Sequence, residues 1–256
     1  MDMEEYISHG VPVTWAHVQT EADSKLLDRP CGQYITLETG ALDKLNSFEA
    51  VCACLADQLR PLLEPCLGKT LCVCGLGNQD MVSDSLGPEV ARRFRPKLFE
   101  SFVAKSNFEK VVMICPGVNG YTNLSSEKII ASVVSAIDAA CILAVDCTSC
   151  TDLERLCSSI SLTDNGMHAY WGTADLREST VSIPVVTIGV PTMIGVPALF
   201  NTENTAQELY LTTLHISNVI QSASFIIACA ITQVAFPELD YESCKQYIGL
   251  FLNNII

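Results

Sequence analysis

Basic residues are scarce in this sequence. Its 15 Lys and Arg stand against 29 Asp and Glu, a formal net charge of −14, and no run of Lys or Arg is interleaved with aromatics. That excludes the phosphate-tracking surface of a nucleic-acid binder, whose affinity rests on clustered cations. A linker is also missing: no stretch of the 256 residues is both long and polar, so residues 1–256 read as a single domain. No secretory signal opens the chain, since Met1 to Glu5 is acidic. The thirteen cysteines are an odd number scattered through strand-like and helix-like segments, which points to reduced thiols and a cytoplasmic location. Long uninterrupted apolar runs are lacking too. The strongest, Val219 to Phe236, carries Gln221, Ser222, Ser224, Thr232 and Gln233; it suits a core helix better than lipid, so no membrane partner is expected.

Further absences narrow the chemistry. Gly75-Leu-Gly-Asn78 follows a short apolar run, but Asp80 stands where G-x-G-x-x-G needs its third glycine, so a dinucleotide is not expected. No Gly-x-Ser-x-Gly elbow occurs, which leaves Ser85 without the setting of a nucleophile. Cys147-Thr-Ser-Cys150 has no second C-x-x-C pair to complete a tetrahedral zinc site. The remaining cysteines read as packing residues.

What is present is a globular composition, 49% hydrophobic and 17% charged, with apolar surface to spare for a subunit interface; a homo-oligomer is expected. Gln33 to Glu38 alternates like a strand, and Phe48 to Leu63 has helical spacing. From Thr70 on the pattern is regular. Thr70–Cys74, Lys110–Ile114, Cys141–Val145 and Val181–Ile188 read as buried strands, and Ser158–Leu162 as a further strand. Gly87–Phe94, Ser125–Asp138 and Leu209–Phe236 read as helices. Strands alternating with helices predict an α/β fold whose largely parallel sheet is covered on both faces.

In such a sheet, functional groups gather beyond the carboxyl ends of the strands. Asp84 lies in the loop after the Thr70–Cys74 strand, and Asp146 follows Ile142-Leu-Ala-Val145 as the apparent end of its strand. Each also has a plain structural reading: Asp84 as a cap of the helix that follows, Asp146 as a turn carboxylate accepting backbone N–H groups. Brought together, two carboxylates have a chemical use. One stays ionised and takes a proton from water while the other keeps its proton and hydrogen-bonds the scissile carbonyl, because like charges at close range push the two pKa values apart. His168, in the loop Thr163-Asp-Asn-Gly-Met-His168, could join Asp84 and Asp146 as a ligand of a divalent metal, or could serve only as a hydrogen-bonding loop residue.

Several ordered segments resemble the germination protease family, aspartic-type endopeptidases that degrade small acid-soluble spore proteins. They are Gly32-Gln-Tyr-Ile-Thr-Leu-Glu38, Gly75-Leu-Gly-Asn78 with Asp84-Ser-Leu-Gly-Pro88, Pro116-Gly-Val118, Ala144-Val-Asp146, Ile160 to His168, and Ile183 to Thr192. The resemblance implies a three-layer α/β/α fold and catalysis by Asp84 and Asp146 without a cofactor. It implies that Gly75, Gly77, Asn78, Asp164 and His168 contact substrate or support the site. It further implies a protein substrate, a spore-core location and homo-oligomers. Departures from the family pattern are local. The chain starts only a short way before the first matching segment, so an activation leader is not expected; Ala169-Tyr-Trp-Gly-Thr-Ala174 replaces a basic stretch after His168, and Met193-Ile-Gly-Val196 lacks an expected Asp. The Gly-x-Gly-Asn loop also resembles the hydrogenase-maturation peptidases, which would make Asp84, Asp146 and His168 metal ligands. A shortened relative that binds without cleaving is the non-enzyme alternative.

Overall fold

The structure, a computed structural model, describes residues 2–27, 29–167, 176–196 and 209–250. Nine strands form one sheet: β1 (Asp2–Ser8), β2 (Val11–Val18), β3 (Gly32–Glu38), β4 (Thr70–Gly75), β5 (Lys110–Ile114), β6 (Cys141–Cys150), β7 (Ser159–Thr163), β8 (Val185–Gly195) and β9 (Tyr210–Leu211). The helices are α1 (Glu21–Leu27), α2 (Phe48–Leu63), α3 (Leu86–Arg93), α4 (Pro96–Phe99), α5 (Asn119–Thr122), α6 (Ser126–Ile137), α7 (Glu178–Val181), α8 (Ile216–Ala235) and α9 (Tyr241–Leu250).

The strand order is β1-β2-β3-β7-β8-β6-β4-β5, with β9 on the end of β8. Strands β8, β6, β4 and β5 run parallel, as the alternating pattern predicts. The other half differs from that expectation: β1, β2, β3, β7 and the junction of β7 with β8 are antiparallel. The reason is local. β1 and β2 are joined by a two-residue turn with His9 at φ 51° and Gly10 at φ 79°, a geometry that closes antiparallel hairpins only. Val181–Ile188 also resolves differently: Val181 ends a short helix, and the strand begins at Val185 and continues to Gly195.

Two cores sandwich the sheet. On one face Leu71 and Val73 of β4, Leu143 and Val145 of β6 and Ile188 of β8 pack with α2, α3, α8 and α9. On the other, Cys72, Cys74, Ile142 and Ala144 pack with Ile130 and Val134 of α6 and Val181 of α7. This is the three-layer α/β/α arrangement, and it follows from strands whose two faces are both apolar. Helix α2 starts where Ser47 accepts the Ala50 N–H (3.2 Å), an N-cap that satisfies an otherwise orphaned donor.

Helix α8 is long and apolar enough to cross a membrane by length and composition. Here it packs as a core helix, buried at Val219, Ile220, Ala223, Ile226, Ile227, Ile231 and Val234. Two of its buried hydroxyls are satisfied inside the helix: Ser224 Oγ donates to the Ile220 carbonyl (2.6 Å) and Thr232 Oγ1 to the Ala228 carbonyl (2.7 Å). All thirteen cysteines are free thiols, and ten of them, Cys52, Cys54, Cys72, Cys74, Cys141 and Cys229 included, are fully or nearly fully buried packing residues.

Past the end of α8, Phe236 closes a run of rings. Phe94 and Phe99 lie 6.0 Å apart, Phe99 and Phe236 also 6.0 Å, and all three are fully buried. Phe236→Ala leaves a cavity between α3, α4 and α8, and the expected loss is about 3–5 kcal/mol in denaturant unfolding; a loss under about 1 kcal/mol would show that this layer is not packed as described.

Candidate active site

The parallel strands do not end together. β4 stops at Gly75, opposite Val145, and Leu76 N–H caps the Val145 carbonyl (2.8 Å). β6 continues through Asp146, paired with Gly189, as far as Cys150. Asp146 therefore lies inside the strand, which corrects the expectation that it ends there. The strand continues because β8 goes on pairing with it after β4 has turned away. Asp146 marks the point at which β6 loses β4 as a neighbour. Alternation along the strand puts Asp146 on the face of Ile142 and Ala144 and Cys147 on the other. Cys147 and Cys150, being three apart, face opposite ways, so the C-x-x-C spacing does not make a thiol pair.

The chain leaving β4 is folded tightly against the start of α3, and glycines permit it. A Cβ on Gly75 would lie 2.3 Å from the Gly87 carbonyl oxygen, and one on Gly87 would lie 2.2 Å from the backbone of Leu76. At Gly77, with φ 109°, a Cβ would lie 2.1 Å from the Asp84 carbonyl oxygen. No side chain fits at these positions. The loop is pinned where Asn78 N–H is shared between the Asp84 carbonyl (2.9 Å) and Asp84 Oδ2 (2.9 Å). Gly75, Gly77 and Asn78 thus hold Asp84 against the end of β4. The helix-cap reading of Asp84 does not describe this geometry: the N-cap of α3 is Ser85, and the Asp84 carboxylate turns back to Asn78.

The two carboxylates sit in different surroundings. Asp146 is 1% exposed, and its Oδ1 accepts the N–H of Cys147 (2.8 Å). Burial pushes its pKa well above the usual carboxylate range, the nearby Asp84 charge adds to the rise, and the Cys147 N–H opposes it. Asp84 is half-buried; desolvation raises its pKa and the Asn78 N–H works against that. Both carboxylates are thereby shifted toward keeping a proton, Asp146 further than Asp84.

The structure does not bring Asp164 to this pair. Its Oδ1 accepts the Gln33 N–H (2.7 Å) and its Oδ2 the Gln33 side-chain amide (3.0 Å), which clamps the end of β7 to the start of β3. β7 runs antiparallel to β8, so it delivers Asp164 toward the opposite edge of the sheet from Asp146. His168 lies outside the described residues. Among the described residues no group of three or more His, Cys, Asp or Glu is arranged to hold a metal ion. A residue that sequence reasoning passed over is Tyr121, whose hydroxyl donates to Asp80 Oδ2 (2.6 Å) across the mouth of the Asp84 loop. A lone aromatic in a polar loop gives no periodic signal by which it could have been found.

A family model described as Germination protease matches residues 1–221. Among curated proteins, the chain is similar to the Germination protease of Clostridium tetani, 29% identical over 211 residues, covering 78% of this chain and 65% of that protein. It is also similar to the Germination protease of Bacillus licheniformis, 29% identical over 206 residues, covering 75% of this chain and 55% of the relative. The matched part thus spans roughly half to two thirds of these relatives' length. Among solved structures, a [NiFe] hydrogenase maturation protease, HycI from Thermococcus kodakarensis KOD1, has a TM-score of 0.39 at 13% identity, covering 68% of this chain and 99% of that one. At that score the likeness carries no functional weight.

The raised pKa of Asp146 has a signed consequence for stability. The folded state retains a proton that the unfolded chain releases near pH 4, so stability falls as pH rises above about 4 and keeps falling until the folded-state pKa is passed. Asp146→Asn removes that dependence while its amide oxygen still accepts the Cys147 N–H. The variant is expected to melt a few degrees above the parent at pH 8, with the gap shrinking toward pH 5. Thermal unfolding at both pH values checks this, and a variant less stable than the parent at pH 8 would mean that Asp146 is stabilised as an anion.

Proposed function

Because the chain belongs to the germination protease family, we propose that it is a peptidase in which Asp84 and Asp146 hydrolyse peptide bonds of small acid-soluble spore proteins. The observation that carries this reading is the unequal pair: a nearly fully buried Asp146 beside a half-buried Asp84 whose ionised form is supported by a backbone N–H. With Oδ1 of Asp146 occupied by the Cys147 N–H, its proton resides on Oδ2. Asp84, ionised, takes a proton from a water molecule as that water's oxygen attacks the scissile carbonyl carbon. Asp146 Oδ2–H passes its proton to the carbonyl oxygen, giving a neutral gem-diol. Asp84 then protonates the departing nitrogen as the C–N bond breaks. The proton on a gem-diol oxygen returns to Asp146, and both carboxyl groups regain their starting states.

The formal charge of −14 favours neutral or basic polypeptides over acidic ones as they approach. The same reading places the protein in the cytoplasm of the spore core as a homo-oligomer, with the surplus of apolar sequence accounting for the interface.

The test is incubation of the purified protein and its variants with a small acid-soluble spore protein, with and without chelator. Asp84→Asn and Asp146→Asn are each expected to lower kcat by about 10³-fold or more, and the double variant to be hardly worse, because losses within one cooperating unit do not add. Chelator is expected to leave the rate unchanged and His168→Ala to retain substantial activity. Chelator-sensitive cleavage with His168→Ala as damaging as the Asp variants would replace this mechanism by a metal-assisted one. Binding without cleavage would make the chain an interaction protein, and full activity in either Asp variant would sink the two-aspartate chemistry.

A further inference from the structure

Near their carboxyl ends, β6 and β8 fall out of step. Thr148 pairs with Pro191 and Ser149 with Met193, so Thr192 is an extra residue on β8 with no partner on β6. Such a bulge redirects one side chain, and bulges of this kind recur beside functional sites. Thr192 is fully buried, and its hydroxyl donates to the carbonyl of Ser83, the residue before Asp84 (2.7 Å). On β6 Cys147, next to Asp146, is within the electrostatic influence of the same Thr192 side chain, which lowers the thiol pKa against the larger rise from burial. Behind it, Thr212 Oγ1 donates to the Thr192 carbonyl (2.6 Å), which fixes the bulged backbone from the β9 side.

One hydroxyl therefore acts on the neighbours of both aspartates. Its proton goes to the Ser83 carbonyl, and burial pushes the neighbouring Cys147 thiol up. The turn Val82–Asp84 has no side-chain cap of its own, and the Thr192 bond to the Ser83 carbonyl ties it to the sheet. We propose that Thr192 is the positioning residue that fixes Asp84 relative to Asp146, acting through the Ser83 carbonyl. The proposal rests on the two-aspartate reading for its catalytic consequence, though the geometry it describes stands apart from activity.

Two readouts keep the proposal and that reading distinguishable. Thr192→Val removes the donor at nearly constant shape, and Thr192→Ser restores it. In cleavage assays Thr192→Val is expected to lose about 10–100-fold in kcat with KM within about two-fold, while Thr192→Ser stays within about three-fold of the parent. In a carboxyl ¹³C titration, the Asp84 midpoint is expected to move in Thr192→Val and to return in Thr192→Ser. If Thr192→Val does not fold, Thr192→Ala carries the same comparison. A donor-less variant that titrates and cleaves like the parent would overturn the proposal and leave the peptidase reading intact. A parent protein that cleaves nothing would remove the peptidase reading, and the titration would then decide the positioning role by itself.

Discussion

Bringing a carboxylate to 1% exposure within an apolar sheet is costly unless it keeps a proton or collects donors. Asp146 collects one, the N–H of its own successor, and one neutral-strength donor does not offset full desolvation. Its proton affinity therefore rises, and Asp84 nearby raises it further. The local architecture follows from this constraint. β6 continues past β4, so that Asp146 is held by pairing with β8, while β4 stops one residue earlier, at Gly75 opposite Val145.

Asp84 sits in a less buried environment, which the β4–α3 connection supplies. Three glycines let backbone approach backbone to distances that no Cβ tolerates, so Asp84 comes close to β6 while keeping partial exposure and the Asn78 N–H. The motif Gly75-Leu-Gly-Asn78 with Asp84-Ser-Leu-Gly-Pro88 is thus a packing solution before it is a chemical one. In the geometry the part of the glycines is to make room. Thr192, the extra residue of β8 at the level of Thr148 and Ser149, adds a bond from the third strand to the Ser83 carbonyl.

The legible parts of the fold were those whose burial follows a period. Phe48–Leu63 and Lys110–Ile114 were readable to the residue because α2 presents an apolar stripe and β5 a short apolar run between polar flanks. The first hairpin was not readable. β1 is exposed along nearly its whole length, so no alternation marks it, and it is held instead by pairing with β2 and by side-chain bonds to α2, such as Tyr6 Oη to Gln58 Oε1 (2.6 Å) and His9 Nε2 to Asp57 Oδ2 (2.8 Å). Asp84 and Asp146 could be picked out because each follows an apolar strand in sequence. Asp164 could not be separated from them, since its place depends on the antiparallel register of β3 and β7, which no local pattern encodes. Thr192 was invisible for the same kind of reason: a bulge is a mismatch between two strands and belongs to neither sequence alone.

The central claim is that the two aspartates carry one proton between them at neutral pH and that Asp146 holds it. Neutron diffraction from deuterium-exchanged crystals at pH 7 reads this directly. The account expects deuterium on Asp146 Oδ2 and none on Asp84. Density showing both carboxylates bare, or the deuterium on Asp84 with Asp146 ionised, would contradict it.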